Sequence, residues 1–75
     1  MKIKSIASNR TELHTDDAVI LFSDSTPVAA LRKADHKYLR TDQFWSVTTS
    51  RHINKWLSGV DAQTVPQAEL EGMTA

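Results

Sequence analysis

The sequence contains no cysteine, few glycines and prolines, and no excess of charge of either sign. Without cysteine, the chain of 75 residues has neither disulfides nor thiolate zinc ligands, so its stability depends on a hydrophobic core. Its two glycines, Gly59 and Gly72, are too few for a glycine-rich loop around phosphate, which excludes the familiar nucleotide-binding motifs. Nine basic residues balance nine acidic ones, so the net charge is zero. It gives no indication of a nucleic acid, a membrane surface or an acidic substrate as a partner.

Long hydrophobic runs are also absent from the sequence. Residues 1–4 open with positive charge, but no apolar signal-peptide segment follows, and no stretch approaches the roughly 20 apolar residues of a membrane span. We therefore expect a soluble protein of the cytoplasm without a membrane partner. A chain of this length also predicts a single domain that buries roughly 60% of its unfolded surface.

The clearest predicted element is an amphipathic helix over residues 49–58. The hydroxyl groups of residues 48–50 suit a helix start, and Gly59 suits the left-handed residue that follows a helix end. A helix of about ten residues is marginal alone in water, so we expect its apolar stripe to pack on a sheet. The stripe, at the spacing i, i+3, i+4 and i+7, consists of Ile53, Trp56, Leu57 and Val60.

Strand patterns occupy the first half of the sequence. A continuous apolar run rich in β-branched residues, at 18–23, predicts a central strand that is buried on both faces. Period-two patterns at 28–32 and 37–41 predict two further strands, and weaker patterns lie at 2–8 and 12–14. Because the connecting turns are short, neighbouring strands should be antiparallel. The predicted fold class is α+β, a small antiparallel β-meander of three to five strands packed against one C-terminal α-helix.

The composition changes after Gly59, where polar residues dominate. We therefore predict a folded domain at residues 1–60 and a tail at residues 61–75. As an alternative for part of the tail, Pro66 and Gly72 favour a short helical turn at residues 66–71. At the corner between sheet and helix we expect three apolar side chains, those of Phe44, Trp45 and Val47.

The residue types of common catalytic and metal sites are present without the spacing that such sites need. His14, His36 and His52 lie on different predicted elements, and none has a partner at a metal-ligand spacing. Serine, histidine and aspartate occur, but no G-x-S-x-G motif marks an activated serine. We expect no catalytic residues, no metal and no cofactor, and a small enzyme is the least favoured function.

The stronger signal is a basic stretch from residue 32 to residue 55, which holds six of the nine basic residues. Arg51 and Lys55, at i and i+4 of the predicted helix, carry like charge, which opposes helix stability. Such an unfavourable local arrangement is typical of a functional surface. In the alternative interpretation, this face is solvated and its charges pair with Glu12, Asp16 or Asp17. The candidate binding residues are Arg32, Lys37, Tyr38, Arg40, Arg51 and Lys55.

The aromatic residues have two interpretations as well. Beside basic residues they suit the stacking of nucleic-acid bases, whereas a small chain without disulfides needs its large side chains in the core. The core interpretation is favoured for Phe22 and Trp56, and less strongly for Trp45. Tyr38, between two basic residues of a predicted strand, is the aromatic residue that we expect to face a partner.

Four segments of the sequence resemble a family of short, functionally uncharacterised proteins encoded by bacteriophages and related mobile elements. The resemblance covers residues 18–66 and is most specific at Trp45 and Ser46 together with residues 48–57; the weaker segments are 19–23, 26–30, and Tyr38 with residues 40–41. Asp24 stands where that family has an aromatic residue, and residues 16–17 replace a glycine-containing turn. The resemblance implies an accessory protein that acts in the cytoplasm of a bacterial host, without known catalytic residues.

Two functions follow from these observations as hypotheses. The first is a non-enzymatic module that binds and modulates a host or phage protein. The alternative is a nucleic-acid-binding module that uses the basic strand and helix surface, although a neutral chain is a weak binder of duplex phosphates. A homodimer formed through an exposed sheet edge, at residues 2–4 or 37–41, is compatible with both.

Overall fold

The computed structural model describes residues 2–7 and 10–74, and for residues 6 and 7 it describes the backbone alone. The described strands form one sheet whose spatial order follows the chain. The strands are β1 Lys2–Ala7, β2 Arg10–His14, β3 Ala18–Ser23, β4 Thr26–Arg32, β5 Lys37–Thr41 and β6 Ala62–Val65, and the helices are α1 Val47–Leu57 and α2 Gln67–Gly72. The α+β class is confirmed, but the sheet has six strands where the sequence predicted three to five.

The sheet is antiparallel from β1 to β5, as the short turns predict, and β6 pairs in parallel with β5. A parallel neighbour needs a crossover connection, and α1 supplies it by crossing one face of the sheet between β5 and β6. The edge predicted at residues 37–41 is therefore wrong, because β6 covers β5. The other predicted edge, at residues 2–4, belongs to β1, which is the first strand of the sheet.

Both faces of the sheet are covered by a helix. On the α1 face, Leu21 packs in a cluster with Ile53 and Leu57, while on the α2 face Ile20 packs in a second cluster with Leu70. Ile20 and Leu21 are adjacent, point to opposite faces and are both fully buried. The prediction of a central strand buried on both sides is thus confirmed for β3. Neither of the two described helices has the length and hydrophobicity of a membrane span.

The bounds of α1 differ slightly from the prediction. The helix begins at Val47 because Ser46, in an extended conformation, is the N-cap, and its Oγ accepts a 3.0 Å hydrogen bond from the Thr49 amide. It ends at Leu57, followed by Ser58 and Gly59 in the left-handed region (φ 51° and 82°). Val60 therefore lies beyond the helix and is exposed, so the prediction that it belongs to the packed apolar stripe is wrong.

Much of the segment predicted as a polar tail is folded against the rest of the chain. Residues 62–65 form β6, and α2 begins directly after Pro66, close to the helical turn that the alternative predicts at residues 66–71. Leu70 is fully buried. The side chain of the buried Gln67 donates a 2.7 Å hydrogen bond to the carbonyl of Pro27 and accepts a 2.6 Å hydrogen bond from the Thr41 hydroxyl. These contacts fix α2 to β4 and β5; Ala75 lies outside the described residues.

The corner between sheet and helix is not filled by the predicted side chains. Phe44, Trp45 and Val47 are 75%, 47% and 59% exposed. The space beneath α1 is occupied instead by residues of the helix itself and by Tyr38, whose ring packs edge-on against Trp56 with 5.9 Å between centroids. The segment before Ser46 consequently carries its apolar side chains outward.

Candidate functional site

The structure divides the six candidate binding residues between the two faces of the sheet. Tyr38 lies on the α1 face, because its ring contacts Trp56, and Arg40 lies two residues further along β5 on the same face. Arg32 and Lys37 are direct cross-strand partners and lie on the opposite face. The six residues therefore do not form one continuous surface.

Arg32 is neutralised within its own turn. Its Nε and Nη2 donate hydrogen bonds of 3.1 and 2.9 Å to the two carboxylate oxygens of Asp35. This hydrogen-bonded pair raises the pKa of Arg32 and lowers the pKa of Asp35. Asp35 Oδ1 also accepts a hydrogen bond from the backbone amide of Lys37. The contacts indicate that Arg32 stabilises the β4–β5 turn and offers little free charge to a partner.

Tyr38 is less available to a partner than its position between two basic residues suggests. It is half-buried, since one side of the ring packs against Trp56 under α1. Trp56 is held in turn by Glu12, whose Oε2 accepts a 2.7 Å hydrogen bond from the indole Nε1. Tyr38 is thus part of the contact between helix and sheet.

Glu12 is engaged on both carboxylate oxygens. Oε2 binds the Trp56 indole, and Oε1 lies 3.0 Å from Nε2 of His14. Partial burial opposes ionisation of this carboxyl group, but the hydrogen bonds from Trp56 and His14, with the nearby charges of His14 and Lys4, hold its pKa below the usual value. Glu12 therefore links β2 to α1 and does not neutralise the basic residues on the outside of the helix.

Three candidate cations remain on the α1 side without a carboxylate partner. Arg51 and Lys55 are exposed on the outward side of the helix, and Nη1 of Arg40 lies 3.4 Å from Oδ1 of Asn54, which shares that side. In the part of the chain that the structure describes, Arg32–Asp35 is an ion pair and His14–Glu12 is one when His14 is protonated, so none of these three cations has one. The alternative interpretation, in which the basic face pairs with Glu12, Asp16 or Asp17, finds no such ion pair among the described residues.

Exposed apolar side chains lie in the first turn of the same helix and just before it. Val47 is four residues before Arg51 and so lies on the same outward side of α1. Phe44 and Trp45 directly precede the N-cap of the helix. We call this combined region the α1 outer surface; it consists of Phe44, Trp45, Val47, Arg51 and Lys55, with Arg40 at its margin. Sequence reasoning missed its apolar part, although the position of Val47 on the polar stripe of the helix was a usable signal.

The three histidines lie apart from one another. His14 contacts Glu12, His36 occupies the β4–β5 turn with a φ of 55°, and Nδ1 of His52 lies 3.3 Å from Oγ of the buried Ser23. Among residues 2–7 and 10–74, no three histidine or carboxylate side chains are grouped as metal ligands would be. His14 and His52 consequently take part in contacts of the fold.

Comparison with known proteins identifies one family match. The model of a family of unknown function, DUF8033, matches residues 1–72, nearly the whole chain. No curated protein and no solved structure matches the sequence.

Proposed function

Because this chain belongs to DUF8033, a family of unknown function, we propose its function from its surface: it is a non-enzymatic module that binds another protein through the α1 outer surface. The observation that carries this proposal is the exposure of Phe44, Trp45 and Val47 in one short segment. A chain with so small a core gains by burying large apolar side chains. Their clustered exposure marks a surface that a partner covers.

The composition of the surface supports a protein partner. Tryptophan and arginine are enriched among the residues that dominate binding energy at protein interfaces, and Trp45 and Arg51 belong to the same surface. The absence of ion pairs at Arg51 and Lys55 among the described residues favours a partner with carboxylates at the matching positions. We propose that the partner is a bacterial or phage protein and that it contacts the α1 outer surface through an acidic surface of its own, in line with the resemblance to phage-encoded proteins.

A nucleic acid is the second candidate partner for the same surface. Phe44 and Trp45 offer rings on which bases can stack, and Arg51, Lys55 and Arg40 offer cations. However, the pairing of Arg32 with Asp35 removes one cation from the predicted basic stretch, and Lys37 lies on the other face of the sheet. Only three cations of this surface lack a carboxylate partner among the described residues, and the net charge of the chain is zero, so the protein partner is favoured.

Site-specific photo-crosslinking in bacterial lysate tests the proposal. A photoreactive phenylalanine analogue replaces Phe44 in one variant and the exposed Asp16, in the β2–β3 turn, in another. We expect a discrete adduct from position 44 and none from position 16. The adduct should disappear when Val47→Asp or Arg51→Glu is added, and it should persist with Lys37→Glu, a matched charge reversal on the opposite face.

The pattern of adducts separates the outcomes. Equal adducts from positions 44 and 16, or adducts that Val47→Asp and Arg51→Glu leave unchanged, would refute the α1 outer surface as a binding site. An adduct that nuclease treatment removes, together with a salt-sensitive gel shift that Arg51→Ala abolishes, would assign the surface to nucleic acid instead.

A further inference from the structure

The outer edge of β1, at residues 2–4, has no neighbouring strand among those that the structure describes. β1 pairs with β2 on one side only, and its register is regular from Lys2 to Ser5 before it shifts at Ala7. The backbone amides and carbonyls of an edge strand are a template for an additional strand. Residues 2–4 of this edge can pair with an incoming segment.

An apolar groove runs beside this edge on the α2 face of the sheet. Its volume is about 190 Å3, and its lining consists of Ile3, Thr11, Leu13, Phe22 and Asp24. Ile3 is a direct cross-strand partner of Leu13 and is 70% exposed. Because α2 is fixed over β4 and β5, it leaves the β1 end of this face uncovered. The groove can therefore receive an aliphatic side chain from a strand added to β1.

The opposite face of the same edge is basic. Lys2 and Lys4 are both exposed and lie on the α1 face, opposite His14 and Glu12 of β2. Glu12 has both oxygens engaged by His14 and Trp56, and no ion pair of either lysine occurs among the described residues. The edge thus combines a cationic face with an apolar face.

This charge pattern excludes a second copy of the chain as the best partner. A two-fold antiparallel pairing of β1 with β1 of another copy keeps like faces together, so Lys2 and Lys4 of both copies would lie side by side. Like charges in directly opposed positions are destabilising, and lysines protect natural edge strands in this way. A segment with carboxylates at those positions is attracted instead.

We propose that β1 pairs with an extended segment of another protein in which acidic and aliphatic residues alternate. The acidic side chains lie beside Lys2 and Lys4, and an aliphatic side chain enters the groove next to Ile3. Backbone hydrogen bonds then supply affinity, and the alternating side chains supply selectivity, as in other cases of strand addition. This contact is separate from the α1 outer surface and does not depend on it.

Titration of the isotope-labelled full chain with end-blocked peptides tests the proposal by NMR. The probe is a peptide of alternating glutamate and valine, and its matched control has lysine in place of glutamate. With the glutamate peptide we expect saturable changes in the NMR chemical shifts of the amides of residues 2–5, 11–13 and 22. The lysine peptide should bind more weakly, by about tenfold or more, because like charges repel. Ile3→Ser should weaken binding of the glutamate peptide, since the groove loses its exposed aliphatic wall.

Charge reversal provides the decisive comparison. The double variant Lys2→Glu/Lys4→Glu should prefer the lysine peptide, whereas Lys55→Glu, on the α1 outer surface, should bind the glutamate peptide as the original chain does. Absence of shifts at residues 2–5, or equal binding of both peptides, would overturn the proposal. The proposal would also be overturned if sedimentation shows that the free chain is a dimer and hydrogen exchange shows that its β1 amides are protected, because the second copy would then be the partner. None of these results bears on crosslinking at position 44.

Discussion

The indole Nε1 of Trp56 donates a 2.7 Å hydrogen bond to Oε2 of Glu12 and so joins α1 to β2 across 44 positions of the sequence. The same indole ring packs against Tyr38 of β5. Trp56 therefore contacts two strands that are not neighbours in the sheet and fixes the orientation of α1 over both. The direction in which the α1 outer surface faces depends on this contact.

Replacement of Trp56 by phenylalanine should destabilise the fold. The variant keeps an aromatic ring but leaves the partly buried Glu12 without its indole donor, so we expect a loss of about 1–3 kcal/mol in the free energy of unfolding. Urea denaturation followed by circular dichroism measures it. The matched variant Trp45→Phe, at an exposed ring, should change stability by less than about 0.5 kcal/mol. Equal effects of the two substitutions would contradict the role of the hydrogen bond.

The stability of the chain should fall in acid partly through Glu12. Although burial raises its pKa, the hydrogen bonds from Trp56 and His14 prevail and lower it. A carboxyl group whose pKa is lower in the folded state stabilises that state at pH values above its unfolded pKa, and this contribution is lost as the pH falls through the folded pKa. Urea midpoints measured from neutral pH down to acid should therefore decline less steeply for Glu12→Gln. Parallel curves for the two chains would contradict this assignment.

The sequence was sufficient to predict the antiparallel order of β1 to β5 and the helix that follows them, because short turns and apolar periodicity are local signals. It did not reveal β6, since residues 62–65 are a short and largely polar strand whose position depends on the crossover through α1. The burial of Leu70 was not predicted either, because it also depends on the position of this segment in the fold. A single leucine in a polar segment predicts burial only when it is known that the face of the sheet opposite α1 needs a covering element.

Replacement of Leu70 by alanine tests whether residues 61–74 belong to the folded core. Leu70 is fully buried in a cluster with residues of β2 to β6, so we expect a loss of about 2–5 kcal/mol in the free energy of unfolding. The matched variant Val60→Ala truncates a side chain that is 45% exposed and should have a small effect. Thermal unfolding of both variants measures the difference. A mild effect of Leu70→Ala would indicate that the segment behaves as a detachable tail.

The candidate site was harder to predict than the fold, because charge along a sequence does not reveal which face of a sheet a side chain occupies. Arg32 and Arg40 are both basic residues of neighbouring strands, yet Arg32 binds Asp35 on one face and Arg40 contacts Asn54 on the other. Trp45 shows the converse problem. Its size favours burial, but directly before the helix cap its side chain is 47% exposed.

The N-cap of α1 connects stability to the α1 outer surface, because Ser46 lies between the exposed Trp45 and Val47. Its Oγ accepts a hydrogen bond from the Thr49 amide, and the first turn of the helix contains no acidic residue. Ser46→Ala should therefore cost about 1 kcal/mol of unfolding free energy. Ser46→Asp should retain or exceed the original stability, since aspartate caps equally well and its charge favours the helix N-terminus. If both variants lose the same stability in urea unfolding, the capping interaction does not determine where α1 begins.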